Sequence, residues 1–310
     1  MVIETTIKPA SPNYDLDFWN YVLYSLELMM NICFIVAYPV VTHICMYQRT
    51  LHINFRILLQ LANSGYLLSN LQRSILIVQR FCCIGNANTD FVLSLTYLLF
   101  FGGYLFTGSW FALVVERVYA SWRSSSYEKK CKSFMDTSII GFLGILPAIV
   151  VTLLKYVNIG ATFDYILTAS EFLIDILTAV ALFYILYYNK KVYDGRHDNN
   201  LALSGRYQLT ENIRATRYII PVAICDFIGR VIVAGLICYS VFFTDIPLGT
   251  DTSHLSHAYD LNSATRRVFF GCWLIFRNEG IFPQRRTNTI MVDTVEHREK
   301  HFEDLRKQWE

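Results

Sequence analysis

Six stretches of this chain, 19–47, 55–78, 91–115, 137–157, 165–188 and 218–243, stay predominantly apolar for about 20 residues or more, the length an α-helix needs to cross a bilayer. Backbone N–H and C=O groups find no water in the hydrocarbon core, so a spanning segment must satisfy them internally, as a helix does. These blocks set the fold class: all-α, a polytopic membrane helix bundle, with the lipid bilayer as its first partner. Composition agrees, since 54% of the residues are hydrophobic and 17% are charged, against about 25% in an average soluble domain. Soluble enzyme classes drop out, and no catalytic residues are expected. Lys+Arg is 27 and Asp+Glu is 25, a net charge of +2 that gives no reason to expect a nucleic-acid partner. The eight cysteines form no CxxC and no metal-ligand spacing, so neither a metal nor a cofactor is expected. The first block is far longer than the apolar core of a signal peptide and only Lys8 precedes it, which predicts a retained anchor.

Lys and Arg accumulate in cytoplasmic loops. They gather after spans one, three and five (Arg49 and Arg56; Arg117, Arg123, Lys129, Lys130 and Lys132; Lys190, Lys191, Arg196, Arg206, Arg214 and Arg217), whereas Lys8 and Arg80 alone fall on the other side. The N-terminus is therefore expected outside a plasma membrane crossed many times. The domains follow as an extracellular N-terminus at 1–18, a transmembrane domain at 19–276 and a basic tail at 277–310. Six spans would leave that tail outside, against the same rule. The only seventh candidate is 259–276, and it carries Arg266 and Arg267 near its middle. Two central arginines cost about 5 to 7 kcal/mol on an insertion scale, and seven strongly apolar residues return roughly 2 to 4. Taken alone the segment should not insert, so the seventh span is expected to be defective or truncated, with mixed or external placement of the tail and retention before the cell surface.

Ionisable residues within a span must find a partner or water, which makes them functional candidates. Glu27 lies in span one, Arg73 in span two, Glu171 and Asp175 in span five, and Asp226 and Arg230 in span six. Counted along the spans, Glu27, Arg73 and Glu171 fall in the outer half, Asp175 and Arg230 near mid-depth, and Asp226 deeper. Glu171 with Asp175, and Asp226 with Arg230, are i,i+4 neighbours and share a helix face. One reading makes Glu27, Arg73, Glu171, Asp175 and Arg230, with Tyr97 and Tyr104, the lining of a pocket for a small polar or charged ligand. The other has the charges neutralise one another and fix helix register, with Asp226 and Arg230 as a structural ion pair.

Span three closes on Glu116-Arg117-Val118-Tyr119-Ala120-Ser121. An acid and an arginine at the membrane rim form either an ionic switch, released when the bundle opens, or an interfacial Arg snorkelling to headgroups. Residues 208–217, without Gly or Pro, read as a solvated linker or as a helical extension of span six, and Pro221 then supplies a kink. Cys82 and Cys83 precede span three, where a disulfide would sit, with Cys238 a conceivable partner. Cys131 between two lysines would suit palmitoylation, and Phe302, Leu305 and Trp309 are compatible with an amphipathic helix on the inner membrane surface.

ERVYAS at 116–121, LSGRYQLTENIRATR at 203–217, HAYDL at 257–261 and the final HFEDLRKQWE occur in an order that resembles the nematode serpentine chemoreceptors, most closely the Sre (class epsilon) family of the Sra superfamily. The resemblance covers about 19–261 and the last ten residues. It implies a seven-helix G-protein-coupled receptor, expressed in sensory neurons, that detects a small molecule and signals to a heterotrimeric G protein. Glu116 and Arg117, with Tyr119 beside them, match the family's counterpart of the acid–arginine switch. Where such receptors continue into an apolar seventh helix, this chain reads Asn262-Ser263-Ala264-Thr265-Arg266-Arg267. A transporter or channel using the buried charges, or a degenerate receptor copy, are the alternatives.

Overall fold

The computed structural model describes residues 17–47, 52–82, 89–122, 134–157, 161–195, 203–244 and 253–277. Every regular element among them is a helix: α1 Phe18–Tyr47, α2 Ile53–Phe81, α3 Thr89–Trp122, α4 Phe134–Tyr156, α5 Ala161–Asp194, α6 Leu203–Phe243 and α7 His254–Phe276. The chain divides into two compact units, 1–275 and 276–310, and of the second only Phe276 and Arg277 are among the described residues. The basic tail beyond Arg277, together with Cys83 and Cys131, lies outside them. Cys82 and Cys238 are both free.

Helix starts are set by side chains that accept from the first unpaired N–H groups. Asp17 Oδ1 accepts from the N–H of Asn20 at 2.8 Å before α1. His52 Nδ1 accepts from Asn54 at 3.3 Å before α2, and Ser253 Oγ from Ser256 at 3.1 Å before α7. The helices run beyond the apolar blocks. α6 starts at Leu203, well ahead of the block at 218, so residues 208–217 are helix rather than linker, and Pro221 is internal to it.

By length and composition α1, α3, α5 and α6 can each cross a membrane, and α4 holds a shorter apolar stretch, Gly141–Tyr156. α2 and α7 are long enough, with 29 and 23 residues, but too polar. The expectation of six clear spans is thus corrected at α2, because Asn54, Asn63, Asn70, Gln72 and Arg73 break its hydropathy while turning into the bundle. The seventh segment, expected to be defective or truncated as a span, is indeed too polar to qualify by composition, yet it forms a full helix of 23 residues. α7 is continuous, and its polar residues find partners on α1, α2 and α6, which a cost computed for the isolated segment leaves out.

The bundle is apolar outside as well as in. Leu153 on α4, Val180 on α5 and Ile228 on α6 are each more than half exposed, the arrangement of a surface meant for lipid. Inside, an aromatic column ties four helices together. The rings of Tyr66 (α2) and Phe106 (α3) stack with centroids 3.8 Å apart, Trp110 continues the stack at 5.7 Å, and Phe270 of α7 meets Tyr66 edge-on at 5.3 Å. Phe34 of α1 closes the column against Tyr66 at 6.2 Å. Helices α2 and α3 touch backbone to backbone at Gly65 and Gly102. A Cβ on Gly65 would lie 2.6 Å from the carbonyl oxygen of Gly102, closer than any side chain can approach. Small residues at such crossings let helices pack by van der Waals contact where lipid offers no hydrophobic drive.

Candidate functional site

Buried charges occur at three levels, each built from residues on different helices. The first lies towards the end of the bundle where α1 begins. There Arg73 donates to both oxygens of Glu27, at 2.6 and 3.1 Å, and bonds Asp260 of α7 as well. The ring of Tyr24 lies 5.9 Å from the guanidinium carbon of Arg73 and 5.3 Å from that of Arg80. His257 hydrogen-bonds Asn20 at 2.8 Å. Glu27 and Arg73, two candidates chosen from separate spans, are therefore direct partners. Asp260 and His257 were not singled out as site residues, although both sit in the HAYDL motif and a charge spaced for a helix face was the available signal.

The second level lies near mid-depth. Arg230 of α6 bonds Glu171, stands 3.0 Å from Asp175 Oδ2 through Nε, and reaches Thr107 of α3 at 3.3 Å. Asp226 accepts from Arg266 of α7 at 2.6 Å and from the hydroxyl of Tyr66 at 3.3 Å. The expected Asp226/Arg230 ion pair is corrected here. The two share a helix face, as i,i+4 residues must, but that face looks at two neighbours, and each residue is claimed by an oppositely charged side chain from another helix. Gly229, between them in sequence, opens the path. A Cβ there would overlap the stem of Arg266, so only glycine lets that arginine lie across α6 to Asp226. Arg267 turns the other way and donates to Asn31 of α1 at 3.3 Å. Tyr104 lies beside Glu171. Tyr97 is not part of this group and packs on Tyr156 at 5.7 Å.

The third level closes the opposite end. Arg117 donates to both oxygens of Glu116 at 2.5 Å, to Asn212 Oδ1 of α6 at 3.0 Å, and covers the ring of Phe55 at 5.0 Å. Glu116 and Arg117 are 3% and 1% exposed, so Arg117 is not an arginine reaching for headgroups at a rim. Adjacent helical residues ordinarily point about 100° apart, and these two meet because both long side chains turn inward, with Arg117 reaching α2 and α6. Tyr119 is 38% exposed on the outer side of the same turn. Next to it Ser121 accepts from Asn189 of α5 at 2.9 Å. Asn212 was legible only as one polar residue within 208–217.

No group of three or more His, Cys, Asp or Glu side chains among the described residues is arranged to hold a metal. What the arrangement can do is couple helices through charge, with α3 and α6 latched at one end and α1, α2, α5, α6 and α7 joined nearer the other. The seven described helices, with an apolar outer surface and an inward charged network, form a polytopic membrane bundle. The Sre G protein-coupled chemoreceptor family matches residues 4–275, and the chain belongs to that family. The match runs to the last turn of α7, so the charged seventh helix is covered by it. No curated protein matches the chain.

Proposed function

We propose that the chain is a chemosensory receptor that detects a small molecule through the charged groups of its first two levels and signals to a heterotrimeric G protein through Glu116, Arg117 and Tyr119. The N-terminus is external, the seven helices cross the plasma membrane, and the tail at 277–310 is cytoplasmic. With α7 as the seventh crossing, the basic tail falls on the same side as the three Lys/Arg-rich links, which removes the conflict with the positive-inside rule. The observation that carries the reading is the latch of Arg117: a buried arginine held by its own neighbour and by Asn212 joins α3 to α6 at one end of the bundle. A ligand that favours a bundle with these helices apart shifts the population towards the unlatched form by its differential affinity and no further. Pro221, which removes one backbone hydrogen bond from α6, is the place where that helix pivots.

The test is G-protein activation in cells lacking related receptors. Arg117→Ala is expected to abolish coupling. Because Glu116 is buried, that variant alone also loses folded protein, and Glu116→Gln/Arg117→Ala is expected to restore delivery without restoring coupling. Normal coupling in the delivered double variant would overturn the switch. An antibody tag after Glu310 should be accessible only after permeabilisation, and an externally accessible tag would overturn the seven-span topology.

A further inference from the structure

Counted by level, the buried charges do not balance. At the first level Arg73 bonds both Glu27 and Asp260, with Arg80 on the Tyr24 hydroxyl and Arg267 on Asn31, so cations are not short there. At mid-depth, Glu171, Asp175 and Asp226 share only Arg230 and Arg266. One carboxylate is in excess there among the described residues, inside a region that desolvates charge. Three acceptors of this group also lack a hydrogen-bond donor: Asp175 Oδ2, which meets Arg230 Nε at 3.0 Å out of alignment, Asp226 Oδ2, and the hydroxyl of Thr178. Thr178 lies one turn from Asp175 on the same face of α5. All three residues are more than nine-tenths buried. The Nε of Arg266 has no acceptor, so donors are not scarce; positive charge is.

Resting on the receptor reading above, we infer that the mid-depth group of Asp175, Asp226 and Thr178 is the binding site for a small organic ammonium ion. A protonated primary amine brings one positive charge and three N–H donors, which matches one excess carboxylate and unpaired acceptors on α5 and α6. An aromatic ring stands close by, since Tyr66 donates to Asp226 itself. An anionic ligand would add to the excess, and a neutral one would leave it.

The experiment uses the full chain in lipid nanodiscs and reads thermal unfolding, which needs no G protein. Butyl and 2-phenylethyl frameworks are each offered as the ammonium, the carboxylate and the alcohol. Only the ammonium members are expected to raise the unfolding midpoint. Asp175→Asn should raise the midpoint of the unliganded protein, because it removes the excess charge, and weaken ammonium binding by about thirtyfold or more, the range for removing one partner of a buried charge pair. Thr178→Val should weaken it less. Equal stabilisation by alcohols or carboxylates overturns the inference, as does no ammonium effect in either framework, an ammonium affinity unchanged in Asp175→Asn, or stabilisation fully reproduced by sodium or by acid alone. Ammonium binding without G-protein activation would leave the site standing and sink the receptor reading instead. Activation by neutral odorants with no ammonium binding would do the reverse.

Discussion

Helices α3 and α7 reach the same bundle by opposite routes. α3 has 34 residues, an apolar middle and an acid–arginine pair confined to its last turns, and it is apolar enough to enter a bilayer unaided. α7 has 23 residues and spends five of them, His257, Asp260, Asn262, Arg266 and Arg267, on bonds to α1, α2 and α6. Asn262, for instance, donates to the carbonyl of Gly229 at 3.0 Å. A helix like α3 gains its place from hydropathy and then contributes contacts. A helix like α7 gains its place from contacts already waiting in its neighbours. The difference teaches that an arginine within a span is costly only against the surroundings it enters: Arg266 meets a carboxylate, Arg267 an amide.

That contrast can be broken most sharply at Asp226. Asp226→Asn should cost about 3 to 5 kcal/mol of folded stability, because Arg266 is then buried without a counter-charge. Asp226→Asn combined with Arg266→Met should recover much of the loss. Thermal unfolding of the set in nanodiscs gives the coupling, and a stronger coupling of Asp226 to Arg230 than to Arg266 would restore the pairing that sequence spacing suggested. Gly229→Val comes next. It drives a branched side chain into the stem of Arg266 and should cost about 1 to 3 kcal/mol by overpacking. If the arginine simply swings aside at no cost, α7 is not docked through that groove.

At the α3 end, Asn212→Ala removes only the α6 half of the latch. It should cost about 1 to 2 kcal/mol, the scale of a hydrogen bond to a charged group, and raise ligand-independent G-protein activation several-fold. Basal activity at the wild-type level would mean that Asn212 does not hold the resting state. Arg267→Met should change stability least, near zero or slightly favourable. Its guanidinium bonds an amide, keeps its Nε unpaired and is fully desolvated, so an apolar side chain of similar length loses little. A loss as large as that of Asp226→Asn would show that Arg267 is bound to the carboxylates of α1 and α7 as tightly as Arg266 is to α6.

The site was legible to different depths. Glu27, Arg73, Glu171, Asp175, Asp226 and Arg230 stood out because a charge in an apolar block is conspicuous. Their pairing did not, since sequence distance favours i,i+4 neighbours while the closest opposite charge lay across a helix crossing. Tyr97 had the right depth and the wrong face, and Asn212 and Asp260 sat in segments whose composition hid them.

By itself the sequence determined that this protein is a membrane bundle, where its apolar helices run, and which family it resembles, because the cost of burying an unpaired backbone in lipid and the length of an apolar run are properties of a segment alone. Only the tertiary structure decided that α7 belongs to the bundle, that Arg117 is locked rather than at the surface, and which acid each arginine serves. Those outcomes depend on the distance between charges on different helices, and in a low-dielectric interior a few ångströms of separation outweigh any preference a single segment carries.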